Sequence, residues 1–130
     1  MNYILPNKDR THELLFFCAR ISFTLRFAGY DVVTGTNGLE AIDGAQREKP
    51  DIILMDVRMP QMTGFEACQK IKAIPELQSI PIVFLSAKGQ ESEIQAGLDA
   101  GATEYLLKPF APDDIIRRVK EILAQKNKSS

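Results

Sequence analysis

Two short apolar runs, Asp51–Asp56 (DIILMD) and Ile80–Ser86 (IPIVFLS), constrain this chain more than any other feature. Each is too short for a core helix and lacks the alternation of a strand with one wet face, so each suits a central strand buried on both sides. Each also closes on a polar residue, Asp56 and Ser86. Two further strands are predicted at Asp31–Thr36 and Glu104–Leu107. Amphipathic stretches at Gly38–Arg47, Phe65–Ala73, Glu91–Ala100 and Pro112–Gln125 predict the helices. Pro60 and Gly64 mark the loop after Asp56, Pro75 ends a helix, and Gly101 suits a C-terminal cap. Pro112, followed by Asp113 and Asp114, suits a helix start, where the dipole favours acids.

Strands alternating with helices at this spacing predict a parallel sheet with helices on both faces. The length suits one domain over residues 1–125, with a frayed polar tail at 126–130. A net charge of -1 gives no support for non-specific binding to nucleic acid or anionic membranes. Cys18 and Cys68 lack metal-site spacing and read as buried free thiols. With one histidine in the chain, a Cys/His metal site or a histidine-based triad is disfavoured. The N terminus lacks a basic segment followed by an apolar core, and no apolar run approaches the roughly 20 residues that span a bilayer. A cytoplasmic location is therefore expected.

In open parallel sheets, functional groups gather beyond the carboxyl ends of the strands. Asp56, Ser86 and Lys108 fall at three consecutive strand ends. Each has a mundane reading alone: a turn-forming Asp, a strand-end Ser, a Lys before Pro. Together they suit phosphoryl chemistry. The carboxylate can act as nucleophile, the ammonium can hold phosphoryl oxygens, and the hydroxyl can donate a hydrogen bond to one of them. A transferring phosphoryl group also calls for a divalent cation, usually held by further carboxylates.

DIILMDVRMPQMTGFEACQKIK resembles the phosphoacceptor segment of response-regulator receiver domains, including Met59-Pro60 and Gly64. PIVFLSAKG resembles the strand with their Ser/Thr, here Ser86, and GATEYLLKPF resembles their Lys-Pro segment, here Lys108 and the structural Pro109. The resemblance spans roughly residues 29 to 123. It implies a five-stranded flavodoxin-like sheet in the order 2-1-3-4-5. It also implies Mg2+-dependent phosphorylation of Asp56 by a sensor histidine kinase or phosphotransfer protein. Arg58 matches the position whose backbone carbonyl binds the metal, and Tyr105 matches the aromatic switch that responds to Ser86.

The N terminus departs from the family, whose first strand ends in a pair of metal-holding acids. If Tyr3–Pro6 is that strand, Lys8 and Asp9 occupy the pair, leaving Asp9 as metal ligand and Mg2+ weakened by Lys8. An ungapped count from Gly29 puts His12 and Glu13 there instead, but makes the polar 8–11 segment a core strand. A strand at Leu14–Phe17 leaves Cys18 and Ala19, with no ligand at all. Leu14, Phe17, Ile21, Leu25 and Ala28 recur at helical spacing, which favours a helix over 14–28 after a short strand at Tyr3–Leu5. On that helix Phe16, Phe23 and Phe27 share the face opposite Leu14, Ile21 and Leu25, an expected surface for self-association or another protein.

The expected role is a regulatory switch, not an enzyme beyond self-catalysed phosphoryl transfer to Asp56 and its reversal. Because no effector domain follows the last helix, output is expected through contact with a downstream protein at the Ser86, Tyr105 and Phe110 side, unless the chain is excised from a longer protein. The rival reading is a pseudo-receiver, an interaction module that keeps the fold without using phosphate. A haloacid-dehalogenase-like phosphatase fits less well: it would want an acid two residues after Asp56, where Arg58 stands.

Overall fold

Five parallel strands form one sheet: β1 (Leu14–Cys18), β2 (Asp31–Gly35), β3 (Ile52–Asp56), β4 (Ile82–Ser86) and β5 (Glu104–Leu107). They are hydrogen-bonded in the order β2-β1-β3-β4-β5. The computed structural model describes residues 14–18, 29–57, 62–86, 90–107 and 112–128. Within them lie helices α1 (Gly38–Glu48), α2 (Gly64–Lys72), α3 (Glu91–Asp99) and α4 (Pro112–Lys128), with a short 3-10 turn at Pro75–Leu77.

The continuous apolar runs make β3 and β4 two-sided. Ile53, Met55, Ile82 and Phe84 face a core shared with Ala41 and Ala45 of α1, and Ala67, Cys68 and Ile71 of α2. Ile52, Leu54, Val83 and Leu85 face the opposite core, closed by Ile115, Val119, Ile122 and Leu123 of α4. Those α4 residues recur at the spacing of one helical stripe, which explains why that face turns inward.

Local chemistry sets the helix ends. Asn37 caps α1 by accepting from the Glu40 amide at 2.9 Å, and the Glu40 carboxylate accepts from the Thr36 amide at 2.7 Å. Thr63 and Glu66 form a reciprocal capping box at the start of α2. After α3, the Gly101 amide bonds Leu98 at 3.0 Å and the Ala102 amide bonds Gly97 at 3.1 Å. That paired closure needs a left-handed residue, which Gly101 supplies at φ 106°.

The first strand corrects the expectation for the N terminus. Leu14–Cys18 is not the start of a helix but a central strand, with Phe16 opposite Val33 on one side and Ile53 on the other. A position between two parallel strands asks for apolar residues on both faces, and LLFFC supplies five in succession. Leu14 and Phe17 also fit helical spacing with Ile21, Leu25 and Ala28, which is why the pattern misled. Phe16 therefore cannot share a helical face with Phe23 and Phe27, which lie outside the described residues, and the expected surface loses its basis. Tyr3–Leu5, Lys8 and Asp9 also lie outside the described residues, and the strand end beside Asp56 belongs to Cys18.

Candidate functional site

Because all five strands are parallel, their carboxyl ends form one rim. Register places Asp56 opposite Leu85, Cys18 opposite Met55 and Gly35, and Ser86 opposite Leu107. Asp56 is half-buried at the end of β3, and Ser86 is buried at the end of β4. Adjacent strands lie about 4.8 Å apart, so the two residues sit on neighbouring rails of the sheet. Arg58, Lys108, Pro109 and Phe110 lie outside the described residues; Lys108 directly follows Leu107, the last residue of β5.

The backbone beside Asp56 is held closely. The Val57 amide donates to the Leu85 carbonyl at 3.4 Å, and the Gly64 amide donates to the Val57 carbonyl at 2.8 Å. A Cβ on Gly64 would stand 2.5 Å from the Asp56 carbonyl oxygen and 2.9 Å from Phe84 Cε1. No side chain fits there, so the start of α2 rests directly on the peptide of Asp56.

A line of aromatics runs from this contact towards α3. Phe65 meets Phe84 edge-on with centroids 5.2 Å apart, and Phe84 lies 6.1 Å from Tyr105. Tyr105 pairs with Phe84 in register, and Ser86 is two residues further along the same strand, so both share the α1/α2 face as diagonal neighbours. The Tyr105 hydroxyl is buried and has no hydrogen-bond partner among the described residues. Gly97 makes room for the ring: a Cβ there would lie 3.0 Å from Tyr105 Cδ2 and 3.2 Å from both Phe65 and Phe84. Sequence reasoning missed the Gly97 contact; its one signal was a glycine inside a helix interior.

Cys68 is a buried free thiol that donates to the Ala100 carbonyl at 3.3 Å, and burial pushes it up to about 11. It is a core residue, not part of the rim. On the other face, Arg118 of α4 pairs with Glu104 of β5 and with Glu121, fastening the last helix to the edge strand.

The family-type Mg2+ site needs oxygen ligands, chiefly carboxylates. Among the described residues no group of three or more His, Cys, Asp or Glu side chains could hold a metal ion. Cys18 ends β1 beside β3, and Asp9, His12 and Glu13 lie outside the described residues. The described residues alone do not make up such a site.

A doubly wound parallel α/β domain with one carboxylate at the end of its central strand is the class these features define. The family model for the response regulator receiver domain matches residues 15–120, and the chain belongs to that family. The match begins one residue into β1, in agreement with the strand seen here. Over 103 residues the chain is 40% identical to the alkaline phosphatase synthesis transcriptional regulatory protein PhoP of Bacillus subtilis, covering 79% of this chain and 42% of that protein. It is 39% identical over 100 residues to response regulator MprA of Mycobacterium leprae, covering 77% and 43% respectively. The chain thus spans less than half the length of these relatives. Chemotaxis response regulator CheY4 of Vibrio cholerae superposes with a TM-score of 0.77 at 33% identity, covering 85% of this chain and 98% of that one. The receiver domain of sensor histidine kinase PA1611 from Pseudomonas aeruginosa, with magnesium coordinated in its active-site cleft, gives 0.77 at 27% identity, covering 87% and 98%. No helix among the described residues is long and apolar enough to cross a membrane.

Proposed function

We propose that this chain is a phosphoacceptor receiver domain in which Asp56 takes a phosphoryl group from a sensor histidine kinase or phosphotransfer protein. The observation that carries the reading is Asp56 at the carboxyl end of the central strand, with Ser86 ending the next strand on the same rim. A carboxylate oxygen of Asp56 forms the new bond to phosphorus as the donor's phosphorus–nitrogen bond breaks, and the histidine nitrogen departs with a proton. Lys108 supplies the cation for the phosphoryl oxygens, and the Ser86 hydroxyl donates to one of them. Tyr105, on the face of Ser86 and with its hydroxyl unpartnered among the described residues, answers the change at the rim. The product is a signalling state read by a downstream protein, not a released metabolite.

Mg2+ assistance is the form that family membership suggests, with the Arg58 carbonyl and Asp56 as ligands. Asp9, the third ligand expected from the sequence, lies outside the described residues. The test is intact mass after incubation with acetyl phosphate, which transfers its phosphoryl group and releases acetate. One phosphoryl mass is expected on the wild type and none on Asp56→Asn. Undiminished labelling of that variant would sink the assignment, and a wild type that never labels would favour an interaction module indifferent to phosphate.

A further inference from the structure

Within α3, only Gly97 is buried. The helix therefore meets the body of the domain through a residue with no side chain. Its backbone there is helical, so conformation does not demand glycine, and alanine would make the better helix. What excludes alanine is the space outside the helix. A Cβ on Gly97 would stand 3.0 Å from Tyr105 Cδ2, 3.2 Å from Phe65 Cε1 and 3.2 Å from Phe84 Cδ2. Rings from β5, α2 and β4 thus converge on the one point of α3 that leaves room for them.

The three rings are not equally free to give way. Phe84 is fully buried. Phe65 is half-buried and meets Phe84 edge-on at 5.2 Å, and an outward turn would carry a wholly apolar ring into water. Tyr105 makes the closest approach to Gly97, lies farther from Phe84 at 6.1 Å, and sits on the edge strand. Its outward turn would bring to water a buried hydroxyl that has no partner among the described residues. Crowding at Gly97 is therefore relieved through Tyr105. We propose that Gly97 is a positioning residue for the switch: the room left by its missing side chain is the inner seat of the Tyr105 ring. The size of that seat sets how readily the ring leaves it. This rests on the reading of Tyr105 as the residue that answers the rim. Crowding the seat from α3 then drives the ring outward with no phosphoryl group on Asp56.

The test follows the tyrosine rings of the full chain by carbon-13 labelling, with a soluble nitroxide that broadens the signals of exposed rings. The Tyr105 signal is the one lost in Tyr105→Phe. Without a phosphoryl donor, Gly97→Ala should broaden it more than the wild type does. The same gain is expected in Gly97→Ala, Asp56→Asn, because the methyl acts from α3. Gly97→Ala, Phe65→Leu should return towards the wild type, because the smaller side chain vacates the room the methyl needs. A merely destabilised helix predicts neither the gain nor its reversal. A folded Gly97→Ala whose Tyr105 signal broadens no more than the wild type, or a gain that Asp56→Asn abolishes, overturns the inference. Should Gly97→Ala not fold, the nuclear Overhauser contact between Gly97 Hα and the Tyr105 Hδ protons in the unphosphorylated wild type decides: its presence supports the seat and its absence overturns it. If acetyl phosphate labels nothing, the Asp56 reading fails, while these measurements need no phosphate and still decide the role of Gly97.

Discussion

Replacing Gly64 with alanine tests the tightest contact of the site. The new Cβ would begin 2.5 Å from the Asp56 carbonyl oxygen, 2.9 Å from Phe84 Cε1 and 3.1 Å from Val57 Cα. Two of these neighbours are backbone, so the strain falls on β3 or on the first turn of α2. Overpacking of this kind costs about 1–3 kcal/mol. Displacing α2 also stretches the 2.8 Å bond from the Gly64 amide to the Val57 carbonyl, a loss of about 1 kcal/mol. Against this, alanine restricts the unfolded chain and returns about 0.4–1 kcal/mol. The net is a loss of about 2 kcal/mol, which at a urea slope of about 1–3 kcal/mol per molar lowers the midpoint by roughly 1 M. Urea denaturation followed by circular dichroism measures it. Amide shifts should move at Asp56 and Val57 and stay in place at Ile122, on the far core. A midpoint equal to or above the wild type would refute the contact, and with it the claim that α2 rests on the Asp56 peptide.

Two other outcomes follow from buried polar groups. Tyr105→Phe removes a buried hydroxyl with no partner among the described residues, so it should raise stability by up to about 1 kcal/mol; a lower urea midpoint would show that the hydroxyl is satisfied in solution. The Cys68 thiol is raised from 9.0 to about 11, mainly by burial, with Lys72 acting the other way. A folded-state value above the unfolded one gives stability that is complete below about pH 9 and lost as pH rises towards 11. The midpoint of the wild type should fall over that window more than that of Cys68→Ala; identical pH profiles would contradict the burial.

The parts of the fold legible in the sequence were those where one pattern had one meaning. IILM and IVFL are apolar at every position and short, which suits strands covered on both sides. The rim could be read from them because a parallel sheet sends all its strand ends to one edge. The first strand was not legible, for a physical reason. LLFFC fits a two-sided strand, but Leu14 and Phe17 also begin a helical series through Ile21, Leu25 and Ala28. Local spacing cannot choose between them. Lateral pairing does: β2 and β3 both bond to β1, and without it the sheet would be split. The expected strand at Tyr3–Leu5 lies outside the described residues. Gly97 escaped because its importance is a distance between α3 and β5, and no residue spacing encodes that.

That distance completes a continuous set of hard contacts from the rim to α3. The Asp56 peptide touches Gly64, Gly64 touches Phe84, and Phe84 and Tyr105 close over Gly97. Contiguity alone does not make a switch; an element with two arrangements is also needed. Most of this set has no second arrangement open to it. Phe84 is fully buried, and a displacement of either glycine's backbone meets atoms already in contact. Tyr105 differs from its neighbours. It is only half-buried, it lies on the edge strand, and its buried hydroxyl has no partner among the described residues. An outward turn would return that hydroxyl to water and vacate the space beside Gly97, while the buried Ser86 on the same face is the nearest strand-end hydroxyl to the Asp56 rail. We propose that the balance between these two positions, set by a hydroxyl without a partner among the described residues against one ring's packing, is where a small change at Asp56 becomes a change of surface on α3 and β5.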